Sequence, residues 1–329
     1  MPLLNKPTDA VIAVTYICNS RCRMCNIWQM GNLPVLDLAE YHKLPKSLKE
    51  INLSGGEPFL RADLVDLVKL IVTNNPSARI IISSNGFATD LIKQKMELIL
   101  KIKPDIGLAF SLDGIGSAHE EVRRIPQAYD KVIATLKMLK EDLKMTNLRL
   151  AFTAGDYNID QLIPVYNLAN KLGIEFTVAA VHNADHYFNI QENKIDKLPE
   201  FEQAFKTLIN AELMSWSPKK WARAYFAYAL LKFLKDKKRM LPNFSGVDNI
   251  FIDPQGNVSP SDVSPHRMGN LKDFANYDDL VATEQAQKAV EAEKYAQNWM
   301  ICTARPAIKR NLLTVLFWII KSKLFRVKL

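Results

Sequence analysis

Cys18-Asn-Ser-Arg-Cys22-Arg-Met-Cys25 decides how this chain is read, because it packs three of the four cysteines into eight residues. It follows the apolar run Val11-Ile-Ala-Val-Thr-Tyr16, whose β-branched content predicts a strand. Three thiols on the loop leaving a strand can hold a metal centre but cannot all pair as disulfides. A structural zinc ion takes four ligands in closed tetrahedral coordination. Here the next His is His42 and the next Cys is Cys302. Thiolate-rich sites otherwise favour iron–sulfur clusters, and three thiolates on a four-iron cube leave one iron open to a small molecule. The competing readings are a trio of ordinary buried cysteines and an incomplete zinc site.

Composition bounds the rest. Four cysteines, three of them clustered, do not make a secreted disulfide framework, and the N-terminus lacks a basic segment followed by a long apolar core. A cytoplasmic location is expected, with peripheral membrane contact as the alternative. The net charge of +8 is concentrated at one end: residues 294–329 hold eight Lys and Arg and no acid, leaving 35 basic against 35 acidic residues before them. That distribution argues against a nucleic-acid-binding body and for one local contact with an anionic surface.

Short apolar runs alternate with helical patterns, as βα units around a parallel sheet require. Strands are predicted at Val11–Tyr16, Glu50–Leu53, Arg79–Ser83, Ile106–Ser111, Leu148–Thr153 and Glu175–Val181. Helices are predicted at Leu36–Leu48, Ala62–Thr73, Thr89–Ile102, Ala128–Leu143 and Ile159–Leu172. Six such repeats make an α/β fold, a partial (β/α)6 TIM-type barrel, whose chemistry gathers on the loops at the C-terminal strand ends.

The unusual residues fall on those loops. Ser54-Gly55-Gly56-Glu57-Pro58 follows the second strand, Ser83-Ser84-Asn85-Gly86 the third, and Ser111-Leu112-Asp113-Gly114 the fourth, with His119 and Arg123 beyond. Each alone is an ordinary turn. Together with the Cys-x3-Cys-x2-Cys spacing, and in this order, they resemble the radical S-adenosylmethionine (SAM) superfamily over roughly residues 8–181. The resemblance implies a [4Fe-4S] cluster on Cys18, Cys22 and Cys25, whose open iron chelates the amino and carboxylate groups of SAM. It implies SAM contacts from Gly55, Gly56, Glu57, Pro58, Ser84, Asn85, Ser111, Asp113 and Arg123. Met24 stands where the family usually has an aromatic residue, and a thioether can cover adenine in its place. The implied reaction is reductive cleavage of SAM to methionine and a 5′-deoxyadenosyl radical that abstracts hydrogen from substrate. Its electron is expected from an external flavodoxin- or ferredoxin-type donor.

Beyond the expected core barrel (1–190) the chain is less legible. The loop after the sixth strand offers His182, Asp185, His186 and Tyr187 as proton or hydrogen-atom donors. Residues 191–243 read as a helical segment, with helices at Leu198–Leu213 and Pro218–Arg239. Residues 244–310 carry a β-hairpin around Pro254-Gln255-Gly256-Asn257, and then Met268-Gly269-Asn270-Leu271. This resembles the SPASM or twitch extension of radical SAM enzymes. Ser261 stands where those place cysteine, and only Cys302 remains of the terminal cysteines, so the extension is expected without its cluster. Cys302 is then a buried structural thiol or a substrate-facing hydrogen donor.

Residues 311–329 mix a nine-residue run, apolar but for Thr314, with a basic end. That is too short to span a bilayer, which takes roughly 20 apolar residues. The segment fits an interfacial helix on an anionic membrane or a terminal helix closing the barrel bottom. Two substrate classes follow: a peptide or protein, as SPASM-like relatives modify, or a membrane lipid or lipid-linked glycan. A non-catalytic binding protein or zinc-held scaffold on the same fold is the alternative.

Overall fold

The computed structural model describes residues 6–325. Six parallel strands form its centre: β1 (Asp9–Ala13), β2 (Glu50–Ser54), β3 (Arg79–Ser84), β4 (Gly107–Ser111), β5 (Leu148–Ala154) and β6 (Glu175–Ala180). Between them run α1 (Leu64–Asn74), α2 (Thr89–Ile102), α3 (Ser117–Arg123), α4 (Ala128–Glu141) and α5 (Leu162–Lys171). Sheet order is β6-β5-β4-β3-β2-β1, continued on the far side of β1 by β7 (Asn249–Ile252), β8 (Asn257–Ser259) and β9 (Gly269–Asn270). β7 runs parallel to β1, while β8 and β9 return antiparallel. The result is an open, partial TIM-type α/β barrel of seven parallel strands with a hairpin sewn to its edge.

The period-2 pattern of the strands assigns the two faces. In β5, Leu148, Leu150, Phe152 and Ala154 are buried, whereas Arg149, Ala151 and Thr153 are half-buried on the concave side. In β2, Ile51 and Leu53 enter the core while Glu50, Asn52 and Ser54 line the concavity. Helices cover the convex face through stripes at helical spacing, such as Leu64, Leu67, Val68 and Ile71 of α1. Polar residues are thereby left facing the barrel axis along its whole length.

Three expectations need correction. Leu36–Leu48 is not a helix but a 3₁₀ segment over Leu38–Lys43 inside extended chain. Pro45 drives the preceding Leu44 to an extended ψ of 144°. The Arg61 guanidinium also captures the Leu36 carbonyl at 3.0 Å, together with Val14 O at 2.8 Å and the Tyr41 hydroxyl at 3.1 Å. The first strand ends at Ala13, not Tyr16, because Thr15 and Ile17 present their carbonyls to the loop after β2. The hairpin is found where expected, but its first strand joins the barrel sheet and does not stand apart from it.

After β6 come α6 (Leu198–Met214) and α7 (Pro218–Asp236), and after β9 come α8 (Tyr277–Val281), α9 (Glu284–Glu293), α10 (Ile301–Arg310) and α11 (Leu312–Phe325). The last of these packs Val315, Trp318 and Ile319 inward; the Trp318 ring lies 4.8 Å from Tyr228 and 5.3 Å from Tyr225 of α7. Leu313, Phe317 and Leu324 on its other side are more than two-thirds exposed. No helix among the described residues is long and apolar enough to cross a membrane. Of the eight C-terminal cations, Arg326 and Lys328 lie outside the described residues.

Candidate functional site

The C-terminal strand ends open on a cavity of about 330 Å³. Cys18, Cys22 and Cys25 line it together with Met24, Gly55, Gly56, Ser84, Asn85, Ser111 and Arg123. Of the five proposed donors, His182, Tyr187 and the sequence-distant Cys302 line the same cavity, and Asp185 and His186 do not. Glu57, Pro58 and Asp113 do not line it; all three are buried behind it.

Gly55 and Gly56 are required by the protein's own backbone. A Cβ on Gly56 would sit 2.2 Å from the Ile17 carbonyl oxygen, and one on Gly55 2.5 Å from that of Thr15. Gly55 also has φ +131°, a conformation side chains disfavour. This close approach lets Gly56 N donate to Thr15 O at 2.7 Å and Glu57 N to Ile17 O at 2.8 Å. The glycine turn is thus bonded directly to the loop that enters the cysteine stretch.

Two buried carboxylates tie the remaining loops. Glu57 accepts from Phe59 N at 3.2 Å, Ser84 Oγ at 2.9 Å and Asn85 N at 2.7 Å, joining the loops after β2 and β3. Asp113 accepts from Thr153 N at 2.8 Å and pairs with Arg123 at 2.5 Å, joining the ends of β4 and β5 to α3. His119 Nδ1 accepts from Asp113 N at 3.0 Å, and burial followed by the Arg123 charge pulls its pKa down to about 2, so it is a neutral acceptor.

Arg123 also reaches the cysteines, donating to Cys22 Sγ at 3.3 Å, while Ser20 Oγ lies 3.0 Å from the same sulfur. Burial pushes the Cys18 and Cys25 thiols up to about 12. Bare thiolates are therefore costly here, and a cationic metal centre replaces the proton. Among the described residues no three His, Cys, Asp or Glu side chains converge on a single ion. A cluster makes no such demand, because each thiolate binds a different iron. Three free thiols on one loop, with donors already at a sulfur, fit a [4Fe-4S] cluster. For SAM, Ser84, Asn85, Ser111 and Arg123 present polar side chains at the same wall.

Beside the glycine turn, Tyr187 Oη lies 3.1 Å from Ser54 Oγ, and burial raises its pKa. His182 holds Ala180 O through Nδ1 at 3.1 Å, its Nε2 is buried without a partner, and burial lowers its pKa. The Cys302 thiol, raised by burial and by Asp262, donates to Asp262 Oδ1 at 3.1 Å. Asp262 was not singled out from sequence, although it follows the Ser-Pro-Ser turn. Nor was Asn193, whose amide holds both Met24 O at 3.1 Å and His182 O at 2.9 Å.

Comparison with known proteins agrees with this geometry. The sequence model of the radical SAM superfamily matches residues 12–169. A GTP 3′,8-cyclase of Helicobacter pylori is 32% identical over 187 residues, 52% of this chain and 55% of its own length. This chain therefore spans about half the length of that relative. Pre-heme d1 synthase of Dinoroseobacter shibae is 26% identical over 79% of this chain and 69% of its own. Among solved structures, anSMEcpe with bound AdoMet and the Kp18Cys peptide superposes with a TM-score of 0.65 at 14% identity, covering 96% of this chain and 99% of that one. Streptococcus suis SuiB bound to S-adenosylmethionine gives 0.64 at 16%, over 85% and 66%. At such identities the structures establish the fold. The family match brings a [4Fe-4S] cluster and SAM with it.

Glu57 makes the site pH-dependent in a testable way. Burial raises its carboxyl from 4.5 to about 7, against the hydrogen bonds that lower it. An acid with a raised folded-state pKa stabilises fully below the unfolded value, and that contribution is lost as pH rises through the folded one. The wild-type unfolding free energy should thus fall on the order of 3 kcal/mol between pH 4.5 and 7 through this group. In Glu57→Gln that slope is absent. Chemical denaturation of both proteins at pH 5 and pH 8 should show the variant gaining about 2–3 kcal/mol on wild type at the higher pH; an unchanged difference contradicts the assignment.

Proposed function

This chain belongs to the radical SAM superfamily, and we propose that it is a SAM-cleaving iron–sulfur enzyme acting on a substrate presented at an anionic membrane surface. The observation that carries the enzyme reading is the convergence of three free thiols, Arg123, the Gly55-Gly56 turn, His182, Tyr187 and Cys302 on one cavity. Cys18, Cys22 and Cys25 hold the cluster. Gly55, Gly56, Ser84, Asn85, Ser111 and Arg123 orient SAM, and Met24 covers the adenine. Glu57, Pro58 and Asp113 act from behind, fixing the loops that carry those groups. The cofactors supply one-electron cleavage of a sulfonium, ending in methionine, 5′-deoxyadenosine and a hydrogen removed from substrate.

The chain's own residues do the rest. Tyr187 and Cys302 hold transferable hydrogens at the cavity, and neutral His182 turns an unpartnered nitrogen into the buried wall. Cys302 is the only cysteine outside the triad, too few for a second cluster, and in this reading the electron comes from an external flavodoxin- or ferredoxin-type donor.

The membrane reading rests on α11. Leu313, Phe317 and Leu324 share the surface with Trp216 (91% exposed) and Met214 (83% exposed) of the neighbouring turn. Lys323 sits over Trp216 and over Trp221, 5.4 and 4.0 Å from the ring centres, bringing the patches together with positive charge. Trp, Phe and Leu beside Lys is the chemistry of an interfacial helix on anionic lipid. A lipid or lipid-linked glycan is the substrate this favours. A peptide is the second reading, since structural neighbours carry bound peptides.

Two experiments test this. Anaerobic reconstitution should load about four irons per chain, with absorbance bleached by dithionite and 5′-deoxyadenosine formed from SAM. Retained zinc and no 5′-deoxyadenosine would support a non-catalytic scaffold. Full-length protein should sediment with anionic vesicles, less so at high salt, and removal of residues 311–329 should abolish sedimentation. Undiminished binding by the truncated chain refutes the membrane contact.

A further inference from the structure

A second cavity, of about 380 Å³, lies at the opposite, N-terminal end of the strands. Its barrel side carries the guanidinium groups of Arg79 and Arg149 from the strands, Arg223 from α7 and Arg305 from α10. With Lys219 and Lys309 they make six cations against four carboxylates, Glu50, Glu175 and Glu212 of the lining and Asp9 beside it, which holds Lys309 at 3.1 Å and Arg305 at 3.4 Å. The excess matters because the carboxylates are unevenly used. Glu50 is engaged by Arg79 at 2.6 Å, and Glu212 by Arg223 Nε at 2.9 Å. Arg149 and Arg223 Nη1 approach Glu175 only to 3.9 and 3.8 Å, beyond hydrogen-bonding distance.

Both arginines keep buried nitrogens without partners, Arg149 Nε and Arg223 Nη1. Unsatisfied guanidinium donors in a half-closed chamber are expensive, and the fork geometry of the group suits phosphate oxygens. Burial, and after Glu175 the neighbouring Arg305, Arg79 and Arg223 charges, also disfavour the Arg149 cation, a strain that a bound anion would relieve. The far side of the chamber is apolar, formed by Phe226, Ile308 and Leu312. Leu312 is 63% exposed, standing at the rim where α11 begins.

We propose that this chamber binds a phosphate ester, its oxygens taken by Arg149 and Arg223 and its organic part lying toward Ile308 and Leu312. Ile301 and Arg305 line both cavities, so the two chambers adjoin within the barrel. From Glu50 in this chamber to Ser54 in the first is four residues along β2, roughly 13 Å at the usual rise. Binding itself is independent of the radical reading.

Calorimetric titration of the full chain with inorganic phosphate, glycerol 3-phosphate and monomeric dihexanoyl phosphatidic acid tests the site. Saturable binding of at least one is expected, about tenfold weaker in Arg149→Gln, since a charge-assisted contact is lost, and tighter in Glu175→Gln, which removes a competing negative charge beside Arg149 and Arg223 and releases Lys219. The second variant keeps the test decisive if the first is poorly folded. A clear preference for the short-chain lipid identifies a lipid headgroup, and equal affinities identify a soluble phosphate. No saturable binding, or affinity unmoved by both substitutions, overturns the proposal. SAM cleavage without phosphate binding would overturn it and leave the radical chemistry intact; phosphate binding without SAM cleavage would do the reverse.

Discussion

Arg123 is the side chain on which the site depends. Its guanidinium pairs with Asp113 at 2.5 Å and reaches Cys22 Sγ at 3.3 Å, while its own carbonyl accepts from Arg21 N at 3.1 Å. One residue thus connects the end of β4, the short α3 and the cysteine loop. A buried guanidinium is tolerable only where acceptors surround it, and a buried carboxylate left alone costs about 3–5 kcal/mol. Asp113 satisfies part of that need. Cys22 Sγ supplies a second acceptor while Nε keeps none, and a thiolate-bound cluster would place negative charge where Arg123 already points.

The loops at the strand ends are held by groups that never face the cavity. Glu57 and Asp113 each accept from backbone N–H groups of a neighbouring strand's loop, and the two glycines exist because the Thr15–Ile17 backbone passes too close for a Cβ. Such ties fix positions to fractions of an ångström, which matters when a reacting atom must lie near one particular hydrogen. They also explain why the motifs are carboxylates and glycines: the residues nearest the chemistry borrow their precision from the residues behind.

Much of this was legible in sequence because it is local. The cysteine spacing, the strand-end turns and the βα alternation each occupy a few residues, and the barrel followed from them. What escaped was non-local. In Leu36–Leu48 only Pro45 warned against a helix, and nothing there reveals that Arg61 will claim the Leu36 carbonyl, so its helical spacing misled. Nothing in Asn249–Ile252 reveals that it will pair with β1. Glu57 and Asp113 were recognised by position, yet sequence does not tell which way a carboxylate turns. Asn193 carries no signal at all, since an amide becomes informative only once the carbonyls it bridges are known.

The two ends of the barrel differ in chemistry. Thiols and small polar groups occupy the strand C-termini, while arginines crowd the N-termini beside an exposed apolar helix. Both follow from alternation along strands that leave polar residues on the axis. The central claim concerns the first end: three thiolates hold a cube whose fourth iron takes SAM. Its most direct test is electron–nuclear double resonance on the dithionite-reduced protein with SAM labelled by ¹⁵N in the amino group and ¹⁷O in the carboxylate. Hyperfine coupling from both labels is expected; an intact cluster that shows neither would contradict it.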